Sequence, residues 1–366
     1  MPLVVWRVAR PAAWVIALYY AAVLLAWTCW RLRTFRLRGI GRVAGVLAAV
    51  AGLWIVLEPW AWLQQRGDGR LHVTFLDVGQ GDAAFVRFPQ GATMLVDAGV
   101  ATGEGYDAGD RVVTPALLWL GVTRLGTQVI THWDADHAGG STAIIREFRP
   151  FDVWEGVPVP RLGLRQSTVA SARTQRARWS TVQTGDGSVI DGVTVRVVYP
   201  PLPDWERQDS RNDDSIVLDV RMGDVSVVFT GDIGRDVERT IGPWLEPAGD
   251  ESAAPAKRRV LKVPHHGSLT SSSEPFITRL HPTVAVISAG RGNAFGHPAP
   301  AVVSRYESHG ASIYRTDQDG AVTIDTDGHE LAVSTVTGRT AYWPPSNALH
   351  EETKSQESHE GYQGGR

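Results

Sequence analysis

Two long apolar runs open the chain, and a shorter-period pattern follows them. Ala12 to Trp30 carries no charged residue and is rich in Ala, Val, Leu and Tyr. At about 1.5 Å per residue it is long enough to cross roughly 30 Å of hydrocarbon, so a transmembrane helix is expected. Val43 to Leu57 is shorter; Gly39 to Leu63 completes a second span, with Trp54, Trp60 and Trp62 as an aromatic fringe and Glu58 and Pro59 weakening its far end. The alternative for the first run is a cleaved signal peptide, but no small-x-small cleavage site follows it before Arg31. Arg31, Arg33, Arg36, Arg38 and Arg42 lie between the runs, against Arg7 and Arg10 before them and Arg66 and Arg70 after them. The central loop is therefore expected in the cytoplasm, with the amino terminus and the rest of the chain outside.

Beyond residue 66 the pattern shortens to strands and turns. Leu71 to Leu76, Ala83 to Phe88 and Thr93 to Val96 read as a small meander. Helices are expected at Val112 to Leu120, Ser141 to Phe148 and Leu164 to Trp179, with strands at Thr127 to Thr131 and Val153 to Glu155. Ile216 to Arg221 and Val225 to Phe229 flank Met222-Gly223-Asp224 as a hairpin, and later strands at Val260 to Val263, Thr283 to Ser288, Ser312 to Arg315 and Ala321 to Asp325 alternate with helical segments. Two mixed halves of this kind imply an α/β fold, a β-sandwich with helices on both outer faces. Glu246 to Arg258 and Trp343 to Arg366 are polar and aperiodic and are read as mobile. The expected division is a membrane anchor at 1–66, one folded domain at 67–340 and a disordered tail at 341–366. The single cysteine, Cys29, lies in the first span and carries no disulfide signal.

The chemistry concentrates in Thr131-His132-Trp133-Asp134-Ala135-Asp136-His137-Ala138-Gly139-Gly140. Imidazoles and carboxylates so crowded would repel or desolvate one another, and a cation satisfies them all. Gly139 and Gly140 are expected to let the backbone turn sharply into the next helix. No histidine lies between His137 and His265, so any ligand from that stretch is an oxygen donor. Asp97, Asp232, His265 and His266 each follow a strand-like run and precede a glycine, and loops at one sheet edge can converge on a shared ion.

These segments, together with Leu76-Asp77-Val78-Gly79-Gln80-Gly81-Asp82, Asn212-Asp213-Asp214-Ser215, Val263-Pro264-His265-His266-Gly267-Ser268 and Gly296-His297-Pro298, resemble the metallo-β-lactamase superfamily, and within it the soluble hydrolase domain of ComEC-like DNA-internalisation competence proteins. The resemblance covers roughly residues 70 to 335 and implies a metallo-β-lactamase αββα sandwich. It places the metal ligands at His132, Asp134, Asp136, His137, Asp232 and His266, with an aspartate where the superfamily signature has its second histidine. It leaves the superfamily's middle histidine without a counterpart, gives Asp97 a loop-orienting role, and puts His265 beside the ligands or facing phosphate.

Carboxylate in place of imidazole hardens the site, which favours Mn²⁺, with Zn²⁺ or Mg²⁺ as alternatives. Two divalent cations are implied, with Asp136 orienting a water and His265 or His297 stabilising charge at phosphorus or the leaving oxygen. Asn212, Ser215 and Ser268 are expected at the substrate, although Asn212, Asp213 and Ser215 would equally cap a turn. The 36 basic and 39 acidic residues leave a formal charge of −3, which does not advertise nucleic acid. A local basic face is read from Arg161, Arg165, Arg173, Arg176 and Arg178, with Arg173 on the expected helix; a solvated arginine surface is the alternative. The expectation is a membrane-anchored hydrolase acting on DNA as a sequence-independent phosphodiesterase or nuclease in DNA uptake, its partners being DNA, the lipid bilayer and a membrane channel. Hydrolysis of a small ester, lactone or lipid-linked phosphodiester, and a non-catalytic DNA-binding or assembly module, are the alternatives. DNA transport by this chain on its own is not expected.

Overall fold

In the computed structural model the described residues are 12–32, 35–57, 66–102, 105–202, 207–245 and 256–344. They fall into two units, one holding the amino-terminal helices and the other the strands, described in turn.

The first unit contains α1 (Ala13–Leu32) and α2 (Phe35–Leu57), both long and apolar enough to cross a membrane. Small residues line the contact between them: Val15, Ala22 and Cys29 are buried on α1, and Ala44, Ala48 and Ala51 on α2. A Cβ at Gly41 would stand 2.9 Å from that of Cys29, so the helices approach through the glycine. The outward faces remain apolar and exposed, including Trp30 and Leu57. The second helix begins earlier than the apolar run alone implies, so Arg38 and Arg42 lie on α2 instead of in a loop, while Trp60 and Trp62 are outside the described residues.

In the second unit the strands are β1 (Leu71–Phe75), β2 (Ala84–Arg87), β3 (Thr93–Val96), a short ribbon of β4 (Ala101–Thr102) and β5 (Tyr106–Asp107), β6 (Thr127–Ile130), β7 (Asp152–Glu155), β8 (Arg178–Thr181), β9 (Gly187–Ile190), β10 (Val193–Tyr199), β11 (Val217–Met222), β12 (Val225–Phe229), β13 (Arg258–Lys262), β14 (Val284–Ile287), β15 (Ser312–Arg315), β16 (Val322–Thr326), β17 (Leu331–Thr335) and β18 (Thr340–Trp343). One nine-stranded sheet runs β18-β17-β16-β1-β2-β3-β6-β7-β8, and a seven-stranded sheet runs β15-β14-β13-β12-β11-β10-β9. Each is antiparallel on one side and parallel on the other, with β3, β6, β7 and β8 parallel in the first and β12 to β15 parallel in the second.

Alternation decides what each strand residue touches. Val225, Val227 and Phe229 of β12 face the core between the sheets with Leu71, Val73 and Phe75 of β1, whereas Val228 points outward. All five β12 residues are buried because helices cover the far face as well. Phe276, Ile277, Val302 and Tyr306 supply that cover on the seven-stranded sheet, and Ile145 and Ala172 pack on the nine-stranded one, completing the αββα layers.

Several boundaries differ from the sequence expectation. The helix Gly163–Thr174 stops short of Trp179, because Arg178 and Trp179 join β8 and the Trp179 indole donates to Glu155 Oε1 at 2.7 Å. Val112–Leu120 resolves into a π-helical turn, Gly109–Val113, followed by the helix Thr114–Trp119. Arg258, placed by composition in a mobile insertion, starts β13 and is buried. The last strand runs three residues past 340 because Ala341 and Trp343 pack on the core; residues 246–255 and 345–366 lie outside the described residues. At Gly139 and Gly140 the backbone is ordinary right-handed helix, so turning freedom is not the reason for glycine. Close approach is: a Cβ would meet Ala101 N at 2.2 Å and Ala98 O at 2.3 Å.

Candidate metal centre

The carboxyl ends of β3 and β6 in one sheet and β12 and β13 in the other bring four loops together. Asp97 follows β3, Thr131 and His132 follow β6, Asp136 and His137 sit on the helical turn Ala135–Ala138, and Asp232 follows β12. After β13 the chain enters Pro264–Gly267, where His265 (φ 49°) and His266 (φ 53°) are both left-handed. Two successive non-glycine residues in that region are strained, and the turn they make carries both imidazoles toward Asp232.

Three of the imidazoles are held in one tautomer by partners on other loops. His137 donates from Nδ1 to Asp97 Oδ2 at 2.8 Å, and His266 donates from Nδ1 to the Ser288 carbonyl at 2.9 Å. His132 Nδ1 lies 3.1 Å from Thr131 Oγ1 and 3.2 Å from Ser215 Oγ. Thr131 spends its hydroxyl proton on Asp97 and Ser215 spends its own on the Asn212 carbonyl, so each oxygen accepts from His132. The consequence is the same three times over: Nε2 of His132, His137 and His266 is buried and has no hydrogen-bond partner.

Carboxylate oxygens surround these nitrogens. His137 Nε2 is 3.2 Å from Asp232 Oδ1, and His266 Nε2 is 3.3 Å from Asp232 Oδ2 and 3.4 Å from Asp136 Oδ2. Ligand atoms sharing one ion at about 2.0–2.2 Å stand roughly 3.0–3.5 Å from each other. The orphaned nitrogens and these spacings fit a divalent cation held by Asp136, His137, Asp232 and His266, whose ligand atoms form one compact group. His132 and Asp134, 3.6 Å apart, do not join that group. Among the described residues no histidine takes the place of the superfamily's middle one.

The electrostatics point the same way. Burial disfavours charge on His137, but Asp232, Asp97 and Asp82 outweigh it and hold the ring well above its ordinary range. His266 is likewise pushed up to about 9 against its burial by Asp232 and Asp82. Burial would raise Asp232; His137, His266 and Lys262 instead hold it well below the usual carboxylate range. The pocket therefore demands positive charge at the Nε2 positions, as protons or as a metal ion. His265 differs. Burial lowers it, its Nε2 meets the Asn212 amide at 3.1 Å, and its Nδ1 meets Thr270 Oγ1 at 3.2 Å. That Nε2 stands 3.9 Å from Asp232 Oδ2, so His265 is a neutral ring beside the ligands. Burial also lowers His297, whose ring centre is 5.8 Å from that of His265. Neither ring offers a standing positive charge.

The other expected site residues have mixed fates. Asn212 reaches the centre through His265. Ser215 is fully buried and accepts from the Asp232 amide at 3.0 Å, so it braces ligands instead of facing a substrate. Gly231 (φ +50°) lies against it, where a Cβ would come within 2.6 Å of Ser215 Cβ. Ser268 is buried and pairs with Thr270 Oγ1 at 2.9 Å, shaping its own turn. Arg173 is exposed on its helix, and the arginines expected beside it are engaged or placed elsewhere. Arg165 pairs with Glu155 at 2.6 Å, Arg176 lies past the helix end at φ 59°, and Arg178 pairs with Asp152.

Two buried charged residues beside the ligands, Lys262 and Asp82, receive no role from the sequence alone, although Asp82 closes the Leu76–Asp82 motif. Lys262, one of three lysines in the chain, is buried with its ammonium on Asp82, 2.9 Å from the Gly231 carbonyl and 3.4 Å from Asp232 Oδ1. Asp82 in turn stands 3.6 Å from both His137 Nδ1 and His266 Nδ1. The available signal was a charge at an inward position of the apolar run Val260-Leu261-Lys262-Val263.

A cleft of about 640 Å³ opens beside Asp232 and His265, lined also by Arg207, Arg211, Asn212 and Arg235. Arg207 is tied to Asp214 at 2.9 Å and Arg235 donates to the Leu269 carbonyl at 2.6 Å. Arg211 is exposed, and its guanidinium has no hydrogen-bond or ion-pair partner among the described residues.

A family model described as the metallo-beta-lactamase superfamily matches residues 76–291. The chain belongs to this superfamily. Among curated relatives it is 28 % identical over 335 residues to ComE operon protein 3 of Bacillus subtilis (strain 168), covering 86 % of this chain and 39 % of that protein. It is 31 % identical to competence protein ComA of Neisseria gonorrhoeae, covering 76 % of this chain and 38 % of the relative. It is 28 % identical to recombination protein 2 of Haemophilus influenzae, covering 81 % and 34 %. The chain thus spans under two fifths of the length of these relatives. They support the ComEC-like resemblance, and the superfamily fold with its buried histidine-aspartate cluster indicates a metal-dependent hydrolase with a divalent-metal site. With the two apolar helices, they also support association with a membrane.

Proposed function

We propose that this chain is a membrane-anchored, Mn²⁺-dependent phosphodiesterase that cuts DNA without regard to sequence, in the course of competence-related DNA uptake. The observation that carries the reading is the set of buried Nε2 atoms without a hydrogen-bond partner beside Asp232 and Asp136, with Asp232 also lining a cleft in which the Arg211 side chain is unpaired. The four donors are two carboxylates and two imidazoles, a harder set than one in which a third histidine replaces a carboxylate, and this is the ground for Mn²⁺ over Zn²⁺. Bound there, a divalent cation supplies Lewis-acid polarisation of a phosphoryl oxygen and a water of lowered pKa. Asp97 and the Ser288 carbonyl keep His137 and His266 as acceptors toward it, and Ser215 fixes both Asp232 and His132. His265, neutral and with its Nε2 lone pair taken by the Asn212 amide, stands beside the ligands and lines the cleft as a fixed wall. Arg211 meets a phosphate of the bound strand, a backbone contact that carries no base preference.

The competence role is supported by relatives that include competence protein ComA and ComE operon protein 3. The extracytoplasmic orientation is argued from the arginines clustered where α1 ends and α2 begins, and residues 1–66 and 67–340 are taken as anchor and hydrolase domain. A membrane channel is the partner this placement suits. Among the described residues one group brings four ligand atoms together, and the other, Asp82, Asp97 and His137 Nδ1, is already engaged with Lys262, Thr131 and the His137 proton, so one tightly held ion per chain is expected. The test is turnover by the full chain in detergent with Mn²⁺, on single- and double-stranded DNA beside a small lactone and an ester. DNA cleavage that stops with EDTA and returns with Mn²⁺ is expected. Lactone or ester turnover without DNA cleavage refutes the reading in favour of a small-molecule hydrolase, and failure to bind metal makes the chain a non-catalytic module.

A further inference from the structure

Arg38 and Arg42 stand inside the second apolar helix, where Leu37–Leu57 is long and apolar enough to cross a membrane. Four residues apart, they share one face of α2. Neither guanidinium has a hydrogen-bond or ion-pair partner among the described residues. The sequence of the anchor gives them no carboxylate either: the one acidic side chain in residues 1–66 is that of Glu58, which comes after α2 has ended at Leu57. An arginine within a membrane span is costly unless it finds a counter-charge or reaches water, so the pair calls for an anion that this segment does not bring.

Both side chains line a cavity of about 450 Å³ formed by the first unit alone, together with Ala26, Cys29 and Trp30 of α1 and Leu37 of α2. It lies in the turns nearest the link between the helices, where α1 ends at Leu32 and α2 begins at Phe35. On the orientation argued from the arginines clustered there, this is the cytoplasmic leaflet, whose anionic lipids give it a negative surface. The lining is of two kinds. Guanidinium forks match phosphate oxygens in a way that a single point charge does not. Ala26, Cys29 and Leu37 offer hydrocarbon, and tryptophan, here Trp30, is the ring type that settles at the level of lipid headgroups. A phosphate joined to acyl chains satisfies both kinds of surface, whereas a free phosphate covers only the charged one. A transmembrane helix, about 10 Å across, is too wide for the space.

We infer that this cavity is a binding site for one anionic phospholipid, with its phosphate on Arg38 and Arg42 and the start of its acyl chains along Ala26 and Leu37. The site uses no residue of the metal centre, so lipid binding tests it whether or not the chain cuts DNA. The full chain in neutral detergent is mixed with phosphatidylglycerol or with phosphatidylcholine, and retained lipid is counted by mass spectrometry of the intact complex. One phosphatidylglycerol per chain is expected, bound about tenfold or more tightly than phosphatidylcholine. Arg38→Gln and Arg42→Gln should each weaken it about fivefold, and the double variant about 25-fold. Arg31→Gln removes the same charge from a side chain that does not line the cavity and should leave binding unchanged. Excess inorganic phosphate should not displace the lipid. Equal retention of the two lipids, an equal loss in Arg31→Gln and Arg42→Gln, or full retention by the double variant overturns the site. Displacement by inorganic phosphate overturns the lipid in favour of a free anion, and a wild-type chain that retains no phosphatidylglycerol overturns it in favour of a carboxylate from another membrane segment.

Discussion

Replacing Lys262 by Met keeps the shape of a buried side chain and removes the only ammonium placed on Asp82 and Asp232 among the described residues. In the metal-free protein this leaves two buried carboxylates short of their partner, together with the Gly231 carbonyl. Breaking one side of a buried ion pair costs about 3–5 kcal/mol, so Lys262→Met should lower the stability of the metal-free domain by about 4 kcal/mol. In the loaded protein the ion compensates Asp232, and only Asp82 remains unpaired. About half of the loss, roughly 2 kcal/mol, should then be recovered. The thermodynamic cycle requires the same 2 kcal/mol to reappear as about thirtyfold tighter metal binding by the variant. Urea denaturation of the full chain in detergent, followed by tryptophan fluorescence in EDTA and in saturating Mn²⁺, measures both stabilities, and titration calorimetry measures the affinity independently. Equal destabilisation with and without metal, a loss under about 1 kcal/mol in EDTA, or weaker metal binding by the variant refutes this account of Lys262.

The remaining predictions separate ligand, support, surface and framework. Asp136→Asn should abolish metal-dependent hydrolysis with little change in metal-free stability, since Asp136 is about a third exposed, whereas His137→Ala should also destabilise the fold by about 1–3 kcal/mol by stranding buried Asp97; equal stability of the two variants argues against it. Ser215→Ala should weaken metal binding about 10- to 100-fold, because His132 and the Asp232 amide lose a common acceptor, and unchanged affinity by calorimetry would show that Ser215 does not position them. Arg211→Glu should weaken DNA binding at low salt and much less at high salt, while Arg173→Glu should leave it unchanged; the reverse pattern would restore the arginine helix as the contact surface. His72 bonds Asp325 at 3.0 Å and Asp68 at 2.9 Å, and the Asp325 bond, assisted by Asp68, raises its pKa against burial. Its contribution is therefore complete below the unfolded value of about 6.5 and fades as pH rises through the folded value. The gap in melting temperature between wild type and His72→Gln should be larger at pH 5.5 than at pH 9, and a gap independent of pH would reject the linkage.

Much of the site was legible because its residues lie in short segments that end strands. His132 to His137 share one loop, and Asp232 and His266 each sit a few residues past an apolar run, so strand recognition already placed them at sheet edges. The helix Ser141–Phe148 and strand Thr93–Val96 were readable to the residue because turn signals bound them on both sides. Leu164–Trp179 was not. Helix-compatible composition continues through Ala177, and only the tertiary pairing of β8 with β7, plus the bond from Trp179 to Glu155, claims its last residues for a sheet. The arginine face fails for the same reason: Arg165 spends its guanidinium on that same glutamate, a partner that helical spacing does not reveal.

The residues hardest to find were those that fix the ligands. His137 depends on Asp97 across the first sheet, His266 on a carbonyl after β14, and His132 on Ser215, 83 residues away in sequence. Each of these acceptors comes from a different loop than the ring it orients. Of these three bonds only His132 to Ser215 crosses between sheets, but the ligand group itself, Asp136 and His137 from one sheet with Asp232 and His266 from the other, exists only once the two sheets are stacked and their carboxyl edges aligned. On this argument the metal-free domain folds first and the cation binds a pocket already shaped for it, in contrast to small metal sites whose folding the ion itself drives. The buried lysine fits that order. By holding Asp82 and Asp232 it neutralises part of the carboxylate charge that would otherwise oppose assembly of the empty centre.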